Sequence, residues 1–95
     1  MSKGYIIASV TVANPEQYAE YVKAASVAIA KFGGKPIVRG GKCETLEGTT
    51  RKRNVVLEFA DYDTARAYYH SPEYQAAIKL REHAGEANIA VVEGA

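Results

Sequence analysis

Cysteine is nearly absent from this 95-residue chain. Cys43 stands alone, so no intramolecular disulfide and no multi-cysteine metal site can form within one chain. His83 and Cys43 likewise have no spacing partners for a metal site, and none is expected. A single thiol fits a reducing compartment. Charge of one sign is also lacking: twelve basic and eleven acidic residues leave a formal net charge of +1. Such a balance gives no strong pull toward nucleic acid or an anionic membrane, and neither is an expected partner. No apolar run approaches the roughly 20 residues a membrane span needs. No basic flank precedes a long apolar stretch near Met1, so a secretory leader is not expected and a soluble, cytoplasmic protein is. There is no phosphate loop and no dinucleotide fingerprint, and no cofactor is called for. The chain is free of repeats, linkers and low-complexity tracts.

What is present reads as one domain over residues 1–95. Gly4–Val12 is rich in Ile and Val and forms a first strand, with Ile6, Ala8, Val10 and Val12 on one face. Asn14 and Pro15 then signal a helix start, and Gln17 can complete a capping box. Tyr18, Tyr21, Val22, Ala25, Ile29 and Phe32 recur at spacings of three and four, one apolar stripe on a helix of roughly five turns. Gly33 and Gly34 end it. Residues 35–46 read as a second strand, with a bulge or bend at Gly40–Gly41. Residues 47–52 make the hairpin turn, and Arg53–Phe59 the third strand. Asp61 caps a second helical region, broken at Ser71–Pro72 because a residue before proline disfavours the α conformation. Ser71 can cap and Pro72 can start a further helix to about residue 83. Gly85 stops it, and residues 87–92 form the last strand.

The order β-α-β-β-α-β is a split βαβ pattern, so the expected fold is α+β: ferredoxin-like, with both helices on one face of a four-stranded antiparallel sheet. The opposite face is then bare, yet it carries Ile7, Val56, Ala90 and Val92. A solvent-facing sheet surface would be more uniformly polar. The simplest cover is a second copy, sheet against sheet, so a homodimer through the sheet face is expected.

Several segments together resemble one known family almost end to end. They are Lys3–Gly4–Tyr5, Tyr18 with Tyr21, Gly33–Gly34, Arg39–Gly40, Glu47–Gly48 and Glu58–Phe59. The most specific is the run ARAYYHSPEY over 65–74, followed by Arg81. These are similar to domain-of-unknown-function family 1330, of the dimeric α+β barrel superfamily. One departure is Tyr68, where that family often has tryptophan. The resemblance implies the dimeric barrel fold and no established chemistry. The superfamily includes cofactor-independent oxygenases, isomerases, haem enzymes and ligand-sensing domains, and fold alone does not choose among them.

Candidate site residues follow from residue chemistry. His70, at the corner between two helical pieces, titrates near neutral pH and can move protons; equally, it suits a helix C-terminus as a cation. Glu58 sits in the apolar run VVLEF, where burial would raise its pKa toward that of a general base, unless it is paired or faces water. Arg39, before Gly40–Gly41, can clamp a carboxylate in two-pronged fashion or form a salt bridge. Gly40 would let a ligand or another backbone approach closely. Tyr69 and Tyr74 could line a cleft or pack the core. Ser71, beside them, reads as a cap rather than a nucleophile. Arg51–Lys52–Arg53 reads as a solvated basic turn. Three functions stay open: a cofactor-independent enzyme acting on a small carboxylate or aromatic molecule, a non-catalytic small-molecule-binding or stress-response module, and a dimer assembly domain.

Overall fold

A computed structural model of the chain describes residues 2–95. Its elements run β1 (Gly4–Val12), α1 (Pro15–Lys31), β2 (Lys35–Arg39), β3 (Arg53–Phe59), α2 (Tyr62–His70), α3 (Pro72–Arg81) and β4 (Gly85–Glu93). The sheet order is β2-β3-β1-β4, with every neighbour antiparallel. This is the ferredoxin-like α+β arrangement, with the second helix split in two. Among the described residues no helix is long and apolar enough to cross a membrane.

β1 is central because it alternates strictly. Ile6, Ala8 and Val10 are buried under the helices, while Ile7 is exposed on the other side. Leu57 and Phe59 on β3 join the buried layer. Asn14 caps α1 by accepting from the Gln17 backbone N–H. The helix ends in a left-handed Gly33 (φ 71°): Gly33 N–H donates to Ala30 O and Gly34 N–H to Ile29 O. Alanines let the layers close. Ala28, Ala65 and Ala77 have no exposed surface, and the apolar stripe read from the sequence lacked Ala28.

The corner between α2 and α3 rests on one hydroxyl. Ser71 Oγ donates to Tyr68 O at 2.7 Å and accepts from Tyr74 N–H at 3.1 Å, and the residue is 4% exposed. The turn brings the Tyr68 and Tyr74 rings to 4.8 Å centroid to centroid. At the far end of α1, Lys31 and Glu73 form an ion pair that ties α1 to α3.

Two boundaries differ from the sequence reading. The second strand stops at Arg39, not residue 46, and its register shift falls between Pro36 and Val38 rather than at Gly40–Gly41. Gly40 (φ 69°) turns the chain out of the strand, and its N–H donates to Asn54 O. Residues 40–52 then form a long exposed connection rather than a tight hairpin. The last strand begins at Gly85, not residue 87, and α3 ends at Arg81. Gly85 pairs with Val12, and a Cβ there would collide with Thr11 O, so this glycine serves close strand approach rather than a stop.

The face away from the helices is continuous. Val38, Val56, Ile7 and Ala90 align in one cross-strand row, and Lys35, Glu58, Tyr5 and Val92 in the next.

Ser71→Ala removes the cap and leaves the Tyr74 N–H without its acceptor, while Tyr68 O keeps the Ser71 backbone N–H. The expected loss is about 1–2 kcal/mol, a fall in Tm of several degrees by thermal unfolding. An unchanged Tm would mean the corner holds without its hydroxyl. Asp61 caps α2 through Thr64 N–H, and Thr64, by its side chain first and its backbone N–H second, holds the carboxyl below the ordinary 3.8. A depressed carboxylate contributes stability above its unfolded value and loses it as pH falls through the folded one. Asp61→Asn is therefore expected to flatten the acid limb of the stability profile below about pH 4.

Candidate functional site

α1 makes its close backbone approach to α3, whereas α2 approaches β1, β3 and β4. The stand-off between α1 and the sheet leaves a cavity of about 330 Å³. This lies at the small end of the range of ligand pockets, about 300–1,000 Å³. Its floor is the buried sheet face: Ile6, Ala8, Val10, Val55 and Leu57. Its roof is the α1 stripe, Tyr18 to Ile29, with Tyr68, Tyr74 and Arg81 closing one side and Arg39 and Arg53 another. No aspartate or glutamate lines it.

The polar groups on the helical side form one cluster. Tyr21 and Tyr74 hydroxyls lie 2.7 Å apart. Arg81 Nη1 donates to Tyr74 at 3.2 Å and to Tyr21 at 3.4 Å, and its guanidinium stands 5.1 Å from the Tyr21 ring centre. Burial pushes the Tyr21 phenol well above its ordinary 10, and the neighbouring Tyr74 adds to the rise. Burial raises Tyr68 and Tyr74 as well; for Tyr74 the hydrogen bond from Tyr21 and the charge of Arg81 offset part of it. Burial by itself would lower Arg81, but the Tyr74 and Tyr21 phenols more than compensate, so it is held above its ordinary value. At neutral pH the cluster is therefore two neutral phenols and one cation; one phenolic proton lies in the Tyr21–Tyr74 hydrogen bond, which leaves the other phenol and the guanidinium to donate to a ligand oxygen.

The sheet side supplies the other cations. Arg53 stands 5.5 Å from the Tyr18 ring centre, and its Nε is buried with no hydrogen-bond partner. Gly40 leaves room for it, since a Cβ there would collide with Arg53 Nη1. Arg39, opposite Val55 in the β2–β3 register, borders the same cavity. Among the described residues Arg39, Arg53 and Arg81 form no ion pair with any carboxylate.

The residues singled out from sequence are thus distributed. Arg39 and Tyr74 share the cavity. Tyr69 does not line it: half-buried, with its ring 5.3 Å from that of Tyr74 and 5.3 Å from that of His70, it lines a separate depression with His70, and its carbonyl accepts from Gln75. Ser71 is engaged at the helix corner. Gly40 sits behind Arg53. His70 is exposed at the end of α2 and lines shallow depressions with Arg66, away from the cavity. Glu58 lies on the opposite sheet face, where it accepts from the Tyr5 hydroxyl at 3.2 Å.

The basic turn at 51–53 is not a solvated unit. Arg51 lies across the outer sheet face, donating to Asn88 Oδ1 at 2.6 Å and Thr11 Oγ1 at 2.9 Å, while Arg53 turns into the cavity. Sequence reasoning missed Arg53 and the cluster role of Arg81. The available signal was Arg81 falling on the same face of α3 as Tyr74, two turns apart.

Three of the phenols carry a prediction. A phenol with a raised folded pKa contributes stability that is full below its ordinary value and lost as pH rises beyond it. Above about pH 10, phenolate absorbance from Tyr21, Tyr68 and Tyr74 should appear only together with loss of near-ultraviolet circular dichroism. Tyr68→Phe should flatten that alkaline limb. Their ionisation in the intact fold would show the cluster to be open to solvent.

The sequence of residues 3–95 matches the family described as Domain of unknown function (DUF1330), and the chain belongs to it. No curated protein matches the chain. Among solved structures, a protein of unknown function from Rhodopseudomonas palustris superposes with a TM-score of 0.73 at 19% identity, covering 96% of this chain and 81% of its own. A dimeric ferredoxin-like protein of unknown function from Thermobifida fusca gives 0.63 at 20% identity, covering 99% and 91%. SnoaB, a cofactor-independent oxygenase from Streptomyces nogalater, gives 0.62 at 12% identity, covering 97% and 92%. At these identities the likeness is one of fold.

Proposed function

We propose that this DUF1330 member binds a small organic carboxylate with an apolar or aromatic body in the cavity between α1 and the sheet. One observation carries the reading: three guanidiniums border an otherwise apolar, tyrosine-lined space that contains no acidic side chain. Arg39 lies exposed at the rim, whereas Arg53 and Arg81 are half-buried; a buried donor without an acceptor, such as Arg53 Nε, is costly, and a carboxylate supplies the acceptor. The apolar floor and tyrosine rings supply contact area for the body. Arg39 and Tyr74 serve as ligand contacts, with Tyr69 behind Tyr74. A cytosolic setting fits the free, exposed Cys43.

A second reading is turnover of that ligand without a cofactor. It is favoured by the Tyr21–Tyr74–Arg81 cluster, whose guanidinium and one remaining phenolic O–H could donate to an oxyanion. The fold shared with a cofactor-independent oxygenase is compatible with it. His70 and Glu58, the candidates for proton transfer, lie outside the cavity, so a proton would have to come from the ligand or from water.

The same proposal pairs the chain with a second copy across the bare sheet face. Ile7, Val38 and Val92 there are each more than 40% exposed, and fold neighbours are dimeric. Glu58 and Tyr5 would then lie within the interface.

A thermal-shift screen of aromatic and aliphatic carboxylates tests the binding reading. A ligand at a hundred times its Kd adds about 2.7 kcal/mol, a rise in Tm well above about 4 °C for a domain of this size. The rise should vanish in Arg39→Ala, and mass spectrometry of the incubated hit separates turnover from binding. A rise that survives Arg39→Ala places the ligand elsewhere. For the dimer, Ile7→Asp should give a monomer by light scattering, because it buries an unpaired charge at the interface. A dimer that tolerates it uses another surface.

A further inference from the structure

The cavity carries its positive charge on two separate walls. On the sheet wall, Arg53 from β3 is held against the Tyr18 ring, and its buried Nε has no partner. Arg39 from β2 borders the same space. On the helical wall, Arg81 from α3 is held against the Tyr21 ring and donates to the Tyr21 and Tyr74 hydroxyls. The two supporting rings, Tyr18 and Tyr21, are themselves neighbours on α1, with centres 5.3 Å apart. Arg53 and Arg81 are thus each oriented by an aromatic face, which fixes direction without neutralising charge.

A simple structural role does not account for this arrangement. A structural arginine in a half-buried site normally ends on a carboxylate or on backbone carbonyls, because an unmatched buried donor is costly. Arg53 Nε ends on neither, and Arg81 ends on two phenols, one of which still has its proton to donate. A ligand with one anionic group satisfies one wall and leaves the other unmatched.

We infer that the ligand is two-ended: a dicarboxylate, or its equivalent with an anionic oxygen group at each end of a short apolar or aromatic body. One end is taken by Arg53 with Arg39, the other by Arg81 with Tyr21 and Tyr74. The tyrosine pair between them carries the body of the molecule by ring-to-ring contact. This rests on the reading of the cavity as a carboxylate site, and it narrows that reading to one class.

Titration calorimetry of the full chain with phenylacetate and with 1,4-phenylenediacetate tests it, since the two probes differ by one carboxylate. The diacid should bind the wild-type protein at least about tenfold more tightly, the return on one further charge-assisted contact. Arg53→Gln and Arg81→Gln should each bring the diacid down to the affinity of the monoacid. Near-ultraviolet circular dichroism checks that each variant is folded. Where a glutamine variant does not fold, Arg53→Lys or Arg81→Lys is read instead: it keeps the charge, loses the planar fork, and should weaken the diacid severalfold. Equal affinity for the two acids in the wild type, or diacid affinity untouched by a folded variant at either wall, makes the site one-ended and overturns the inference while leaving carboxylate binding intact. Binding of neither acid overturns both.

Discussion

Tyr21 on α1 and Tyr74 on α3 meet hydroxyl to hydroxyl at 2.7 Å, and the helical layer is organised about that contact. It joins the first helix to the last, with Arg81 closing the cluster from two turns further along α3. The Ser71 corner makes it possible by ending α2 and starting α3 at an angle that stacks Tyr68 against Tyr74. The Lys31–Glu73 pair holds the other end of the same helix–helix contact. With α1 anchored to α3 in this way, its apolar stripe faces the sheet across a gap. Tyrosine rings fill part of that gap, and the remainder is the cavity.

A four-stranded sheet has two faces, and one layer of helices covers only one of them. The covered face is built from small and medium apolar residues, with Phe59 nearly fully buried. The uncovered face is apolar at its centre and polar toward one end, where Arg51 bridges Thr11 and Asn88. Both faces follow from the same alternation along β1, in which Ile6 and Ile7 are equally apolar and point in opposite directions. The proposed ligand site on one face and the proposed pairing surface on the other are compatible because the pleat keeps them apart. Glu58 shows the consequence: it shares β3 with cavity-lining Val55 and Leu57 but belongs to the other surface.

Much of the fold was legible in the chain. β1 and β3 were readable from alternation, α1 from its apolar stripe and its Asn14–Pro15 start, and the helix break from Ser71–Pro72. These features are local, and local backbone chemistry sets them. The ends of β2 and β4 were not legible, because glycine has two readings that sequence does not separate. Gly40 ends a strand by turning left-handed, whereas Gly85 begins one by admitting a neighbouring backbone. The candidate site was legible in part. Arg39 and Tyr74 were identified by type, while Arg53 was read as part of a solvated basic turn.

By itself, the sequence determined the order of elements, the periodicity of each, the capping residues and the membership of a family. Those properties depend on neighbours within a few positions along the chain. The tertiary structure alone decided which cations share a space. Arg39, Arg53 and Arg81 are separated by up to 42 positions in the chain, and only the closure of strands and helices brings them around one cavity. It also decided that Arg51 and Arg53, two residues apart, serve opposite faces of the sheet, because Arg51 lies in the connection before β3 and escapes the alternation that would have put both on one face.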